Sequence, residues 1–234
     1  MKKAMLFIAA ILTIAACASR EDKANKLIDK YMYKHLHDYK SYEPVETKVD
    51  TLYNSPLFDE QCIQAALQRN QYEDLADEYE SDARHDHSSM DIWSGGWSST
   101  ARSEYKKALK GYLENSAMQF EAMGKSAEAW KEAFLRIQEL SGKEHIGWMV
   151  DHTYRCNNRG GNSMISSTLF LMDKDMKTIL KSYDEDDEDI AEAVSTINNI
   201  MNDSSCNAAM LDTLINSYKD LAEKSRQKIE EYGL

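Results

Sequence analysis

Residues 148–172 read WMVDHTYRCNNRGGNSMISSTLFLM, and their rhythm decides the fold. Trp148, Val150, His152, Tyr154 and Cys156 alternate with Met149, Asp151, Thr153 and Arg155. A period of two puts the first set on one face of a β-strand and the second on the other. Residues 157–162 (NNRGGN) form a turn, because Gly and Asn tolerate positive φ. A second strand is expected over 164–172 and, after the turn Asp173-Lys174-Asp175, a third over 177–183. Turns this short permit only antiparallel pairing.

Upstream, Val45, Thr47, Val49 and Thr51 alternate with Glu46, Lys48 and Asp50, a fourth strand for the same sheet. Before it, Ile28, Tyr31, Met32, His35, Leu36 and Tyr39 repeat at helical spacing over residues 23–39, and Pro44 bars continuation of that helix. Ser55-Pro56 opens a second helix that is expected to reach about residue 82. Residues 83–100, rich in Ser, Gly, His and Asp, read as a loop. A long helix then covers about 101–140, where Tyr105, Leu109, Tyr112, Phe120, Met123, Ala127, Trp130, Phe134 and Ile137 make a coiled-coil-like seam. Two amphipathic helices close the chain, the last through Leu211, Leu214, Ile215, Tyr218, Leu221, Ile229 and Tyr232. The expectation is a mostly helical α+β protein. It has a small four-stranded antiparallel sheet, a long helical hairpin inserted at about 55–142, and C-terminal helices, all within one mature domain over 17–234.

Met1-Lys2-Lys3 is a basic n-region, and residues 4–16 (AMLFIAAILTIAA) are apolar and uncharged. The run is too short to span a bilayer, which takes about 20 residues, and fits a secretory signal over 1–16. Its ending, Ile14-Ala15-Ala16-Cys17, resembles the bacterial lipobox, which implies cleavage before Cys17 and a diacylglyceryl thioether on its sulfur. The expected place is the cell envelope, at the outer membrane, since Ala18 follows the cysteine where an inner-membrane retention aspartate would stand. Ser19-Arg20-Glu21-Asp22 only partly resembles a surface-export signal, so the side of the membrane stays open. With 28 basic and 40 acidic residues the net charge is −12, and loss of Lys2 and Lys3 deepens it. Such a chain repels phosphate backbones, which argues against nucleic acid, and repels anionic lipid, which leaves membrane attachment to the acyl chains.

Two stretches, Tyr39-Lys40-Ser41-Tyr42-Glu43-Pro44-Val45 and Ile146-Gly147-Trp148 through Cys156, stand with Gly160-Gly161 and Leu171-Met172-Asp173-Lys174-Asp175. Together they resemble small, uncharacterised lipoproteins of Bacteroidota, across about a third of the mature chain. The resemblance implies a β-meander and carries no activity.

Candidate sites are few. His85 and His87, with Asp86 between them and Asp82 and Asp91 nearby, offer imidazole and carboxylate ligands for zinc or copper in the expected loop. Trp93 and Trp97 flank Ser94-Gly95-Gly96 at the hairpin tip and suit a sugar, a partner protein or a lipid headgroup region. Trp148, His152 and Tyr154 share a strand face that would line a ligand pocket, unless that face is core. His35 and His37 point to different helix faces, and His35 lies on the apolar one. The acidic run 184–189 lacks the ligand spacing of a calcium loop and favours a helix start instead. Cys62, Cys156 and Cys206 permit one disulfide at most, without a CxxC. No nucleophile elbow, P-loop, dinucleotide fingerprint or HExxH is present, so no cofactor and no catalytic residue is expected. The functional expectation is a non-enzymatic envelope protein that binds a partner through its hairpin, with small-ligand or metal binding as the alternative.

Overall fold

A computed structural model describes residues 19–140, 142–184 and 187–234. The signal segment and Cys17 lie outside the described residues, as do Glu185 and Asp186 of the acidic run. The fold is the expected mostly helical α+β arrangement with a four-stranded antiparallel sheet. The chain divides into two compact units, one ending at Asn54 and resuming over 141–188, the other built from 55–140 and 189–234. The hairpin expected as an insertion thus shares a unit with the C-terminal helices.

The first unit holds helix α1 (Arg20–His35) and strands β1 (Glu43–Tyr53), β2 (His145–Asn157), β3 (Ser163–Asp173) and β4 (Ile179–Asp184), in sheet order β1-β2-β3-β4. Helix α1 starts three residues earlier than its apolar pattern predicts. Ser19 and Asp22 form a reciprocal capping box, the Ser19 Oγ accepting from the Asp22 N–H at 3.2 Å and the Asp22 carboxylate from the Ser19 N–H at 3.0 Å. It ends at His35 rather than Tyr39, and a 3₁₀ turn at Tyr39–Ser41 leads into β1. Ala24, Ile28 and Met32, spaced four apart, are buried against Val150, Tyr154, Phe170 and Met172. Each fully buried large side chain here is worth about 1.5–3 kcal/mol.

β1 is an edge strand, which is why Pro44 is tolerated inside it. The register jumps between Pro44↔Tyr154 and Glu46↔Thr153, so Val45 is an extra residue and is 56 % exposed instead of sharing the inner face with Thr47 and Val49. At the other end of the sheet, the Asp173 carboxylate accepts from the backbone N–H groups of Lys177 and Thr178 at 2.7 and 3.0 Å. Those bonds close the β3–β4 turn and hold its carboxyl below the usual carboxylate range. Gly147 faces the third strand so closely that a Cβ would lie 2.0 Å from the Met172 carbonyl oxygen.

The second unit is helical: α2 (Glu60–Trp93), α3 (Ser99–Glu139), α4 (Glu188–Asn202) and α5 (Ala208–Glu231). The expectation of a loop over 83–100 is corrected. Helix α2 runs unbroken to Trp93, and the connection to α3 is only residues 94–98. Composition misled because Ser88 and Ser89 turn their hydroxyls back onto the Arg84 and His85 carbonyls, at 2.9 and 3.1 Å, instead of breaking the helix. Tertiary packing then holds it: Ala83, Ala101 and Ala108 are buried, and Gly111 brings α3 so near that a Cβ would meet the Asp86 carboxylate at 2.4 Å. Ser98 caps α3, its Oγ accepting from the Ala101 N–H at 3.0 Å.

The base of the hairpin is pinned by Asp59. Its carboxylate caps α2 through the Cys62 N–H at 3.1 Å and receives a fork from Arg136, Nε at 3.1 Å and Nη2 at 2.7 Å. Burial alone would raise the Asp59 pKa; the Arg136 bonds and charge and the Cys62 N–H outweigh it, and the net direction is down. Helix α5 runs antiparallel to α3 along ion pairs Lys131–Asp212 (2.6 Å), Glu128–Lys219 (2.9 Å) and Glu121–Arg226. Helix α4 buries Ile200 against Ala65 and Ala133, and its Thr196 hydroxyl donates to Asn70 Oδ1 at 3.0 Å.

The close β2–β3 approach yields a test. Gly147→Ala should force the strands apart at Met172, at about 1–3 kcal/mol. Hydrogen exchange of the β2 and β3 amides should accelerate roughly ten-fold or more; unchanged protection would show that the ladder absorbs the methyl group freely.

Candidate functional site

The sheet face that could have lined a pocket is filled. His152 has no exposed surface, and both ring nitrogens are engaged. The Thr47 hydroxyl donates to Asn25 Oδ1 at 2.7 Å, so it accepts from His152 Nδ1–H at 2.8 Å. Nε2 is then the acceptor for the Tyr42 hydroxyl, also at 2.8 Å. Tyr154 stacks on the same imidazole with ring centroids 5.7 Å apart. Trp148 is occupied too: its Nε1–H donates to the Lys174 carbonyl at 2.9 Å, and the Arg20 guanidinium sits 4.1 Å over its ring. Trp148, His152 and Tyr154 therefore spend their polar groups and ring faces on contacts within this unit.

The two histidines of the metal expectation do not converge in this fold. Once α2 continues through 83–93, His85 and His87 are two apart on a helix and face different directions. His87 lies 3.7 Å from Asp91 and edge-on to Tyr112, while His85 borders a separate hollow of about 390 Å³ beside Asp86 and Trp93. Among the described residues no three His, Cys, Asp or Glu side chains converge as a metal site. Cys62, Cys156 and Cys206 are all free and buried. Burial pushes the Cys62 thiol up to about 12, and the Asp59 charge adds to it, so it is an inert core thiol.

What the helical unit does offer is a groove. Helix α3 packs against α2 on one side and α5 on the other, while α2 and α5 approach each other little. The fully buried positions of α3 are nearly all small, among them Ala108, Ser116, Ala117, Ala122, Gly124, Ser126 and Ala133. The large seam residues Tyr112, Phe120, Met123 and Trp130 stay only half-buried and line the floor between the flanking helices. Two adjoining depressions, of about 760 and 300 Å³, share Glu80 and Gln119 and run from Tyr112 to Trp130. At about 1.5 Å per residue this is a trough of roughly 27 Å. Its α2 rim carries Glu73, Asp77 and Glu80 with Arg84, which pairs with Glu80 at 3.5 Å, and its α5 rim carries Lys224 and Lys228 with Glu231, so the rims are of opposite sign only in net charge. The rims were legible at helical spacing in the sequence, but their facing across α3 was not.

The tip expectation can also be placed. Trp97 is 91 % exposed and Ile92 74 %; Trp93, at 38 %, walls a hollow of about 470 Å³ with Arg102, Tyr105, Lys106 and Tyr232. The chain matches no family model, no curated protein and no solved structure.

His152 makes a pH prediction. Burial lowers its pKa, and the weaker opposing charge of Asp151 does not restore it. The unfolded chain takes up a proton near pH ~6.5, the folded one only below that, so stability is full above ~6.5 and falls as pH drops towards the folded pKa. His152→Gln should flatten that acid slope and cost about 1–3 kcal/mol at neutral pH, because the Tyr42 hydroxyl loses its acceptor and Thr47 keeps only its bond to Asn25. Urea titrations followed at the β2 amides check both; parallel pH profiles for variant and parent would refute the assignment.

Proposed function

We propose that the protein is an exported envelope module, anchored by lipid on Cys17 at the outer membrane, that holds a helix of a partner protein in the groove over α3 and performs no catalysis. In this reading it groups with the small Bacteroidota lipoproteins that its β-meander segments resemble. The observation that carries it is the placement of the α3 seam: Tyr112, Phe120 and Met123 lie half-buried along an open trough, which ends at Trp130 where that ring packs on the Ala65, Ala133 and Ile200 core. Large apolar side chains at the floor of a groove, with rims of opposite net charge, are the features of helix-in-groove recognition. The occupant that fits is an amphipathic helix of about 18 residues, apolar in the middle, with basic residues against α2 and acidic residues against α5. A second copy fits less well, because two troughs facing each other keep their floors apart.

The small-ligand or metal-binding alternative has less support. Its sheet residues are spent on contacts under α1, and its two loop histidines occupy different faces of α2.

Two measurements test the proposal. Cys17→Ala should abolish labelling of the protein by a fatty-acid analogue, and equal labelling of variant and parent would remove the anchor. A photoreactive side chain at Phe120, activated in intact envelopes, should cross-link to one segment whose sequence has the stated apolar and two-sided charge pattern. Lys224→Glu with Lys228→Glu should lower that yield several-fold. Adducts to lipid or to this chain alone, or the same yield from a probe at exposed Lys107, would defeat the groove assignment.

A further inference from the structure

The net charge of the chain argues for repulsion from anionic lipid, but the charge is not evenly spread. Residues 91–110, the end of α2, the turn and the first turns of α3, hold four cations, Arg102, Lys106, Lys107 and Lys110, against two carboxylates, Asp91 and Glu104. All four cations are exposed. Lys110 stands 3.9 Å from Glu114, whereas Arg102, Lys106 and Lys107 make no ion pair or hydrogen bond among the described residues. Beside them lies the most exposed apolar group in the helical unit, Trp97 and Ile92, with Trp93 next in line. Gly96 keeps the turn tight: a Cβ there would fall 2.2 Å from the Ala101 Cβ. A short turn closed this firmly keeps the apolar side chains and the cations within a few residues of one another.

We infer that the tip of the α2–α3 hairpin docks on an anionic lipid bilayer surface, with Trp97 and Ile92 entering the interface and Arg102 and Lys106 meeting the headgroup phosphates. Tryptophan rings favour the headgroup level of a bilayer, where an apolar body and a polar N–H are both accommodated. Basic side chains within a Debye length of an anionic leaflet are attracted to it. The acidic remainder of the chain is repelled by the same surface, so contact is tip-first. A protein partner for this patch would need a matching cavity for Trp97, whereas a bilayer accepts the side chain without one. The inference concerns a surface distinct from the groove and does not depend on what the groove holds.

The test uses the full chain reconstituted in phosphatidylcholine vesicles with and without phosphatidylglycerol, the acyl chains brominated to quench tryptophan. Tethering by the N-terminal region is the same in every sample, so only the depth of the tip is compared. Quenching is expected in the anionic vesicles, with roughly half or more of it lost in Trp97→Phe. It should fall several-fold in neutral vesicles and in Arg102→Glu with Lys106→Glu, at unchanged helical content by circular dichroism. Quenching that survives Trp97→Phe intact, or that is equal in neutral and anionic vesicles, overturns the inference. Neither result bears on the Phe120 cross-link, so failure here is distinguishable from failure of the groove.

Discussion

The pairing of β1 with β2 is the constraint on which both units depend. These strands lie side by side in the sheet although residues 55–140 intervene, and the two chain ends meet where the Asn54 N–H donates to the Glu144 carbonyl at 2.8 Å. Closing so long an insertion is entropically tolerable, because the cost grows only with the logarithm of its length. The insertion helps by bringing its own ends together: Asp59 caps α2 and receives Arg136 from the last turn of α3. The sheet can therefore complete its edge, and α1 can bury the one apolar face, without any direct turn between β1 and β2.

Within the helical unit, the decisive feature is where the small residues fall. Apart from Leu113, alanine, serine and glycine occupy the buried positions of α3, so its neighbours approach closely and leave little room for large side chains between them. The aromatic seam is displaced to the margin and becomes the floor of a trough. The buried small positions hold the helices together, and the large seam residues are left half-exposed; the proposed recognition follows from that division of labour.

The chemistry points the same way. The polar groups with the strongest environments, His152 under α1 and Asp59 at the hairpin base, are satisfied by neighbours and serve the architecture. Their shifted pKa values are consequences of burial and of an arginine fork. Perturbed titration marks candidate active sites only where the groups face a cleft; here both face the interior of their own unit.

The period-two rhythm of residues 148–172 determined the meander and which residues, Val150, His152 and Tyr154 among them, share a face, because alternation is a local property of a strand. Helical spacing likewise determined α1, α3 and α5 to within a few residues, and the Trp93 and Trp97 tip was visible as aromatics around glycines. Only the tertiary structure decided the rest. Whether 83–93 is loop or helix turned on Ala83 and Asp86 finding close partners on α3, which no local pattern encodes. Whether the α3 seam is core or surface turned on which side of the helix its neighbours occupy. Whether His152 is a ligand-binding or a structural residue turned on Tyr42 and Thr47, distant in sequence, arriving at its two nitrogens. Local periodicity specifies which face of an element is apolar; what covers that face depends on contacts between residues far apart in the chain.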